Sequence, residues 1–190
     1  LIAKGKKNSN IVVITTDPEA AQKAADEGFV SINGDATKEG ILEDAVIRKA
    51  ASLIIATRKD DSNILIALTA KYLNPDVRVI SRVTELENIK LLKKSGAEVI
   101  IAPAVTSGNM MATATTQPNV VHLLEDVMTA SKGSYFNERE ARPDELGGAP
   151  KKLKGVVVIG LVRKEKLHSF DELDKLKVRQ GDHLLLLERK

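Results

Sequence analysis

The chain has 190 residues, a length that allows one large or two small domains, and its lack of cysteine excludes disulfides, thiolate metal sites and a cysteine nucleophile. Its 29 basic and 26 acidic residues are interspersed, giving a net charge of +3, and only 3% of residues are aromatic; a nucleic-acid partner held by a basic patch or by base stacking is not expected. Hydrophobic residues make up 43%, mostly Val, Ile, Leu and Ala, which suits parallel strands buried on both faces, and no apolar run approaches the roughly 20 residues needed to cross a bilayer.

Leu1-Ile-Ala-Lys-Gly-Lys-Lys7 reads as the tail of a helix, so a strand and a loop are expected upstream of it. Ile11–Ile14 is a strand ending near Asp17, and Pro18–Glu27 is a helix with Ala20, Ala21, Ala24 and Ala25 on one face. Phe29–Ile32 is the next strand and closes on Gly34-Asp35-Ala36-Thr37. In a parallel sheet the loops after these two strands share the edge where ligands bind. Asp17 is then placed to accept from a ribose hydroxyl, to cap the helix that Pro18 begins, or to do both; Asp35 is placed to face a purine edge.

Lys38–Ile47 is expected as a helix with Ile41, Leu42 and Ala45 inward, and Ser52–Ala56 as a third strand. Asp60-Asp61-Ser62-Asn63 signals the start of a helix that runs to Leu73 and buries Ile64, Leu65, Leu68 and Tyr72. Val77–Ser81 is a fourth strand, Thr84-x-x-Glu87 a capping box for a helix over Leu86–Lys94, and Val99–Ala102 a fifth strand before Pro103. Strands and helices alternating in this way are the signature of a doubly wound sheet.

Beyond the fifth strand the pattern changes. Val105–Thr115 continues as helix, Gln117-Pro118-Asn119 breaks it, and Val120–Ala130 forms another. The apolar positions of that second helix, Val121, Leu124, Val127 and Met128, spread round much of its surface, as in a helix that packs on a partner. From Ser131 the chain reads as a small β-rich lobe, with strands at Val156–Val162, Leu167–Phe170 and His183–Leu187 and a short helix near Pro150–Lys154. The domains are therefore expected at 1–116, 117–131 and 132–190.

In this order, Val-Val-Ile-Thr-Thr-Asp17, Gly34-Asp-Ala-Thr37, Leu53-Ile-Ile-Ala-Thr57 with Asp61-Ser-Asn63, Asn74-Pro-Asp-Val-Arg-Val-Ile-Ser-Arg82 and Leu91–Pro103 resemble an RCK domain, the regulator of potassium conductance, also known as the Trk-type nucleotide-binding domain of prokaryotic potassium channels and transporters. Gly160-Leu-Val-Arg163 and Arg179-Gln-Gly-Asp-His-Leu-Leu185 extend the resemblance into the C-terminal lobe. It implies an α/β fold: a Rossmann-like N-lobe whose first strand and Gly-rich loop are missing from this sequence, crossover helices, and a small α+β C-lobe.

The resemblance further implies a cytosolic, ligand-sensing gating domain at the cytoplasmic face of the membrane. It would dimerise through the crossover helix, assemble into an octameric ring, and act on the pore of a potassium channel or transporter by a hinge movement within the dimer. Carried over by position, Asp17 meets ribose, Asp35 and Ala36 meet adenine, and Ala56 and Thr57 border the nucleotide (NAD, ATP or ADP). Arg82 meets a phosphate or pairs with a surface carboxylate. Positions that hold Ca2+ in some members correspond here to Thr57, Arg82 and Thr84, and an arginine there repels the ion. The acidic cluster Glu138, Glu140, Asp144 and Glu145 is either a solvated face or a divalent-cation site. Cyclic di-AMP is a further candidate ligand, compatible with the Arg163–His168 hairpin.

An enzyme is not expected. His122, His168 and His183 stand far apart without metal-ligand spacing, and no serine occupies a nucleophile elbow. The alternatives are a separate regulatory subunit of a Trk- or Ktr-type transporter and, from another class, a nicotinamide-dependent oxidoreductase on the same fold.

Overall fold

A computed structural model describes residues 8–129 and 133–189. The expected helix tail over Leu1–Lys7 lies outside them. The chain divides into two compact units, with the division between Ala112 and Thr113.

The first unit alternates strands and helices: β1 (Val12–Thr15), α1 (Pro18–Asp26), β2 (Val30–Asn33), α2 (Glu39–Asp44), β3 (Ser52–Ile55), α3 (Asp60–Leu73), β4 (Arg78–Arg82), α4 (Ile89–Lys94) and β5 (Ala97–Ile101). All of its strand pairs are parallel. They form two strips, β1-β2 and β3-β4-β5, with no ladder between the strips among the described residues.

The core of this unit joins the strips through side chains. Leu42 from α2 and Ile47 beyond it pack with Ile55, Val79 and Leu92, and Ile14 of β1 leans on the same cluster. Burial of such side chains stabilises by about 1.5–3 kcal/mol each. Asn74 adds a polar tie. Buried at the end of α3, it donates to the carbonyls of Ile47 at 2.9 Å and Ala50 at 3.0 Å.

Three local expectations are corrected. The helix expected over Lys38–Ile47 stops at Asp44; Val46 takes a left-handed conformation (φ 57°) and a 3-10 turn follows over Ile47–Lys49. That break is costly for a β-branched residue and accompanies the turning of Ile47 into the core. The inward face of α3 is Asn63, Ile66, Ala67, Ala70 and Leu73, while Leu65, Leu68 and Tyr72 are exposed. Small Ala67 and Ala70 let the helix sit close on the sheet, which fixes that rotation. The capping box at Thr84 does not form: Glu85 occupies the N-cap of the turn over Leu86–Asn88 without a side-chain cap, and the backbone N–H of Thr84 donates instead to Asp60.

Helix α5 (Pro103–Ala114) contains the division between the units. The second unit holds α6 (Pro118–Thr129) and an antiparallel sheet of β6 (Ser134–Glu140), β7 (Val157–Arg163), β8 (Lys166–Ser169) and β9 (His183–Arg189) in the order β6-β9-β7-β8. Lys164 and Glu165, both at positive φ, make the two-residue turn between β7 and β8. Val158, Leu161, Leu173, Val178, Leu184 and Leu186 form the core. Two ion pairs brace it. Arg163 grips Asp182 with two bonds of 2.7 Å, and Arg139 holds Glu145 with one bond of 2.8 Å and one of 2.5 Å.

Candidate functional site

The C-terminal ends of β1, β2 and β3 open on a cleft of about 820 Å3 in the first unit. Consecutive residues Leu53, Ile54 and Ile55 all line it. Because successive side chains of a strand point to opposite faces, the cleft must run along the edge of β3 rather than over one face. It thus lies between the two strips.

Of the residues singled out in the sequence, Asp17, Asp35, Ala36 and Thr57 all line this cleft. Asp17 follows β1 and caps α1: its Oδ1 accepts from the N–H of Glu19 at 3.0 Å and of Ala20 at 3.4 Å. The capping role is therefore real, and it occupies one carboxylate oxygen. Asp35 closes a turn after β2, its Oδ1 accepting from the N–H of Thr37 at 2.9 Å and from the Thr37 hydroxyl at 2.8 Å. The backbone N–H of Thr37 and then its hydroxyl hold the Asp35 carboxyl below the usual range. A Cβ on Gly34, just before it, would fall 2.6 Å from the end of the Ile41 side chain.

Thr57 ends β3 and orders the loop that follows. Its hydroxyl lies 2.6 Å from the Oδ1 of the fully buried Asn63, and its oxygen accepts from the N–H of Lys59 at 3.3 Å. Asn63 Nδ2 in turn donates to the carbonyl of Arg82 at 3.1 Å. Asp60, also buried, accepts from the N–H of Thr84 and of Glu85, each at 2.9 Å, and from Asn88 Nδ2 at 3.0 Å. Burial raises its pKa, but the bonds from Asn88, Glu85 and Thr84 outweigh it and the net shift is downward. The sequence offered Asp60 only as a helix-start residue, and Asn63 as that and as part of the family motif, without these partners.

Arg82 is not among the residues lining the cleft; its Nε is buried with no hydrogen-bond partner among the described residues. Arg58 and Lys59, which sequence reading passed over, do line it. The two walls therefore differ in charge, acidic at Asp17 and Asp35 and basic at Arg58 and Lys59.

The acidic cluster of the second unit is not gathered. Glu145 turns into the protein to accept from Arg139 and from the N–H of Arg142, and Glu138 lies 3.3 Å from His183. The Arg139 bonds, partly opposed by burial, hold the Glu145 carboxyl at about 2. No group of three or more His, Asp or Glu side chains among the described residues is arranged to hold a metal ion. On α6, Val127 is buried, Val121 is half-buried, and Leu124 and Met128 are exposed. Among the described residues no helix is long and apolar enough to cross a membrane.

The sequence model of the TrkA-N domain matches residues 1–103. The probable potassium channel protein 2 of Methanocaldococcus jannaschii is 31% identical over 168 residues, which cover 81% of this chain and 48% of that protein. The Trk system potassium uptake protein TrkA homolog of Pyrococcus horikoshii is 27% identical over 185 residues, covering 93% of this chain and 77% of that protein. The chain spans about half the length of the two M. jannaschii channel proteins it matches. Among solved structures, the human SLO3 gating ring superposes on 95% of this chain and 40% of its own with a TM-score of 0.71 at 18% identity, a likeness of fold.

Proposed function

This chain belongs to the TrkA-N (RCK) domain family, and from that membership we propose that it is the ligand-sensing regulatory domain of a potassium channel, carrying no reaction of its own. The ligand is an adenine nucleotide seated in the cleft of the first unit. One observation carries this reading: the loops after three separate parallel strands bring Asp17, Asp35, Ala36 and Thr57 to one cleft at the C-terminal ends of those strands.

In this reading the free oxygen of Asp17 accepts from a ribose hydroxyl while the other keeps the helix cap. Asp35 and Ala36 flank the base. Two copies of the chain associate through the exposed apolar side of α6 at Leu124 and Met128. A ligand that binds one arrangement of the pair better than another shifts their equilibrium by its differential affinity, and the pore follows. The relatives named as a potassium channel protein and as a potassium uptake protein support potassium as the transported ion. The reading as a separate transporter subunit draws on the Pyrococcus relative, of which this chain covers 77%.

The test is calorimetric titration of ATP, ADP and NAD into the purified chain, repeated with Asp17→Ala. Binding that weakens at least tenfold in the variant is expected. No heat with any of the three nucleotides would overturn the assignment of the cleft.

A further inference from the structure

We propose that Arg58 and Lys59 form the anion-binding end of the cleft and receive the nucleotide's phosphates, the role the sequence suggested for Arg82. The inference rests on the reading of the cleft as a nucleotide site and assigns the ligand's orientation within it.

Both residues line the cleft, and Arg82 does not. Both are exposed, and neither makes an ion pair among the described residues. The acids next to them in sequence are committed elsewhere. Asp60 is buried against the N–H groups of Thr84 and Glu85 and the Asn88 side chain, and Asp61 accepts from the N–H of Ser62 at 2.6 Å. Two adjacent cations thus stand at a cavity wall with no carboxylate partner among the described residues.

Their loop is held in place. Thr57 clamps the N–H of Lys59, and Thr57 is itself tied to buried Asn63. The Thr84 hydroxyl reaches the carbonyl of Arg58 at 3.5 Å. Only the two side chains, not the backbone, have to be ordered when an anion arrives, which lowers the entropic cost of binding.

The opposite wall fixes the direction. Phosphates placed near Asp17 and Asp35 would meet two carboxylates, whereas ribose hydroxyls placed there find acceptors. Reversing the ligand would also leave Arg58 and Lys59 facing an uncharged base. Arg58 adds planar, paired donors suited to phosphate oxygens, and Lys59 adds a mobile point charge.

The experiment compares ATP with uncharged adenosine by calorimetry in the wild-type chain, in Arg58→Gln/Lys59→Gln, and in the charge-preserving swap Arg58→Lys/Lys59→Arg. The wild type is expected to bind ATP at least tenfold more tightly than adenosine. The double Gln variant should lose that preference and keep its adenosine affinity; the swap should retain most of the preference. The preference in the wild type should also fall as salt rises, and the double Gln variant should show little salt dependence. A preference for ATP that survives in the double Gln variant, or no preference in the wild type while adenosine binds, overturns this assignment and leaves the nucleotide site standing. No binding of either compound overturns both. Since both side chains are exposed, an unchanged melting temperature in the variants confirms that folding is not what the titration reads.

Discussion

Asn63, fully buried in α3, bonds Thr57 at 2.6 Å on one side and the carbonyl of Arg82 at 3.1 Å on the other. One amide thereby fastens the loop at the end of β3 to the last residue of β4. Asn63→Ala leaves the Thr57 hydroxyl and the Arg82 carbonyl without that partner. The expected loss is about 1–3 kcal/mol of stability for unsatisfied, part-buried groups. Chemical denaturation reads this as a lower midpoint with an unchanged slope, and calorimetry should show weaker ATP binding because the Thr57–Lys59 loop is released.

The two roles of Asp17 separate by substitution. Asp17→Asn retains an N-cap acceptor, and Asp17→Ala removes it, at an expected cost of about 0.5–2 kcal/mol. Both weaken nucleotide binding if the free carboxylate oxygen contacts ribose. A melting temperature held by Asn and lowered by Ala, with affinity lowered in both, is the expected pattern. Full affinity in Asp17→Asn would leave the residue as a cap alone.

On α6, neighbouring apolar residues should answer differently to a charge. Leu124 is 38% exposed and Val127 is 5% exposed. Leu124→Asp is expected to leave the circular dichroism spectrum unchanged and to halve the mass measured by sedimentation equilibrium. Val127→Asp buries an unpaired carboxylate and should destabilise the second unit itself. An unchanged mass for Leu124→Asp would remove α6 as the dimer surface.

Glu145 links the second unit to pH. Its carboxyl is held at about 2 by Arg139 against an ordinary value of 4.5, so the folded state binds its proton less readily than the unfolded chain. The stabilisation is complete above about pH 4.5, declines as pH falls toward 2, and is absent below that. Glu145→Gln should flatten this part of the acid-stability profile. At neutral pH the same variant should be less stable, since the Arg139 charge would remain part-buried without its partner.

The parallel strands were legible because buried strands are written as short apolar runs, Ile11–Ile14 and Ser52–Ala56 among them, with turn residues between. The acidic wall of the cleft was legible for a related reason: Asp17 and Asp35 directly follow two such runs. The rest depended on distant partners. Nothing local shows that Asp60 reaches the N–H of Thr84, so both it and the Thr84 capping box were read as ordinary helix-end signals. The face of α3 was misjudged because large apolar residues at Leu65, Leu68 and Tyr72 outweigh Ala67 and Ala70 in any hydrophobic pattern, whereas close packing favours the small ones. Arg58 and Lys59 resemble any exposed basic pair until the neighbouring acids are seen to be occupied.

The buried carboxylate of Asp60 joins the start of α3 to the segment after β4, accepting from the N–H groups of Thr84 and Glu85 and from Asn88 Nδ2. Asn63, one turn further along α3, holds the carbonyl of Arg82. A single helical turn therefore welds the loop after β3 to the whole stretch that leads into α4. That rim behaves as one lever: a force applied at Thr57 is passed to Asn88 without first bending the backbone between them.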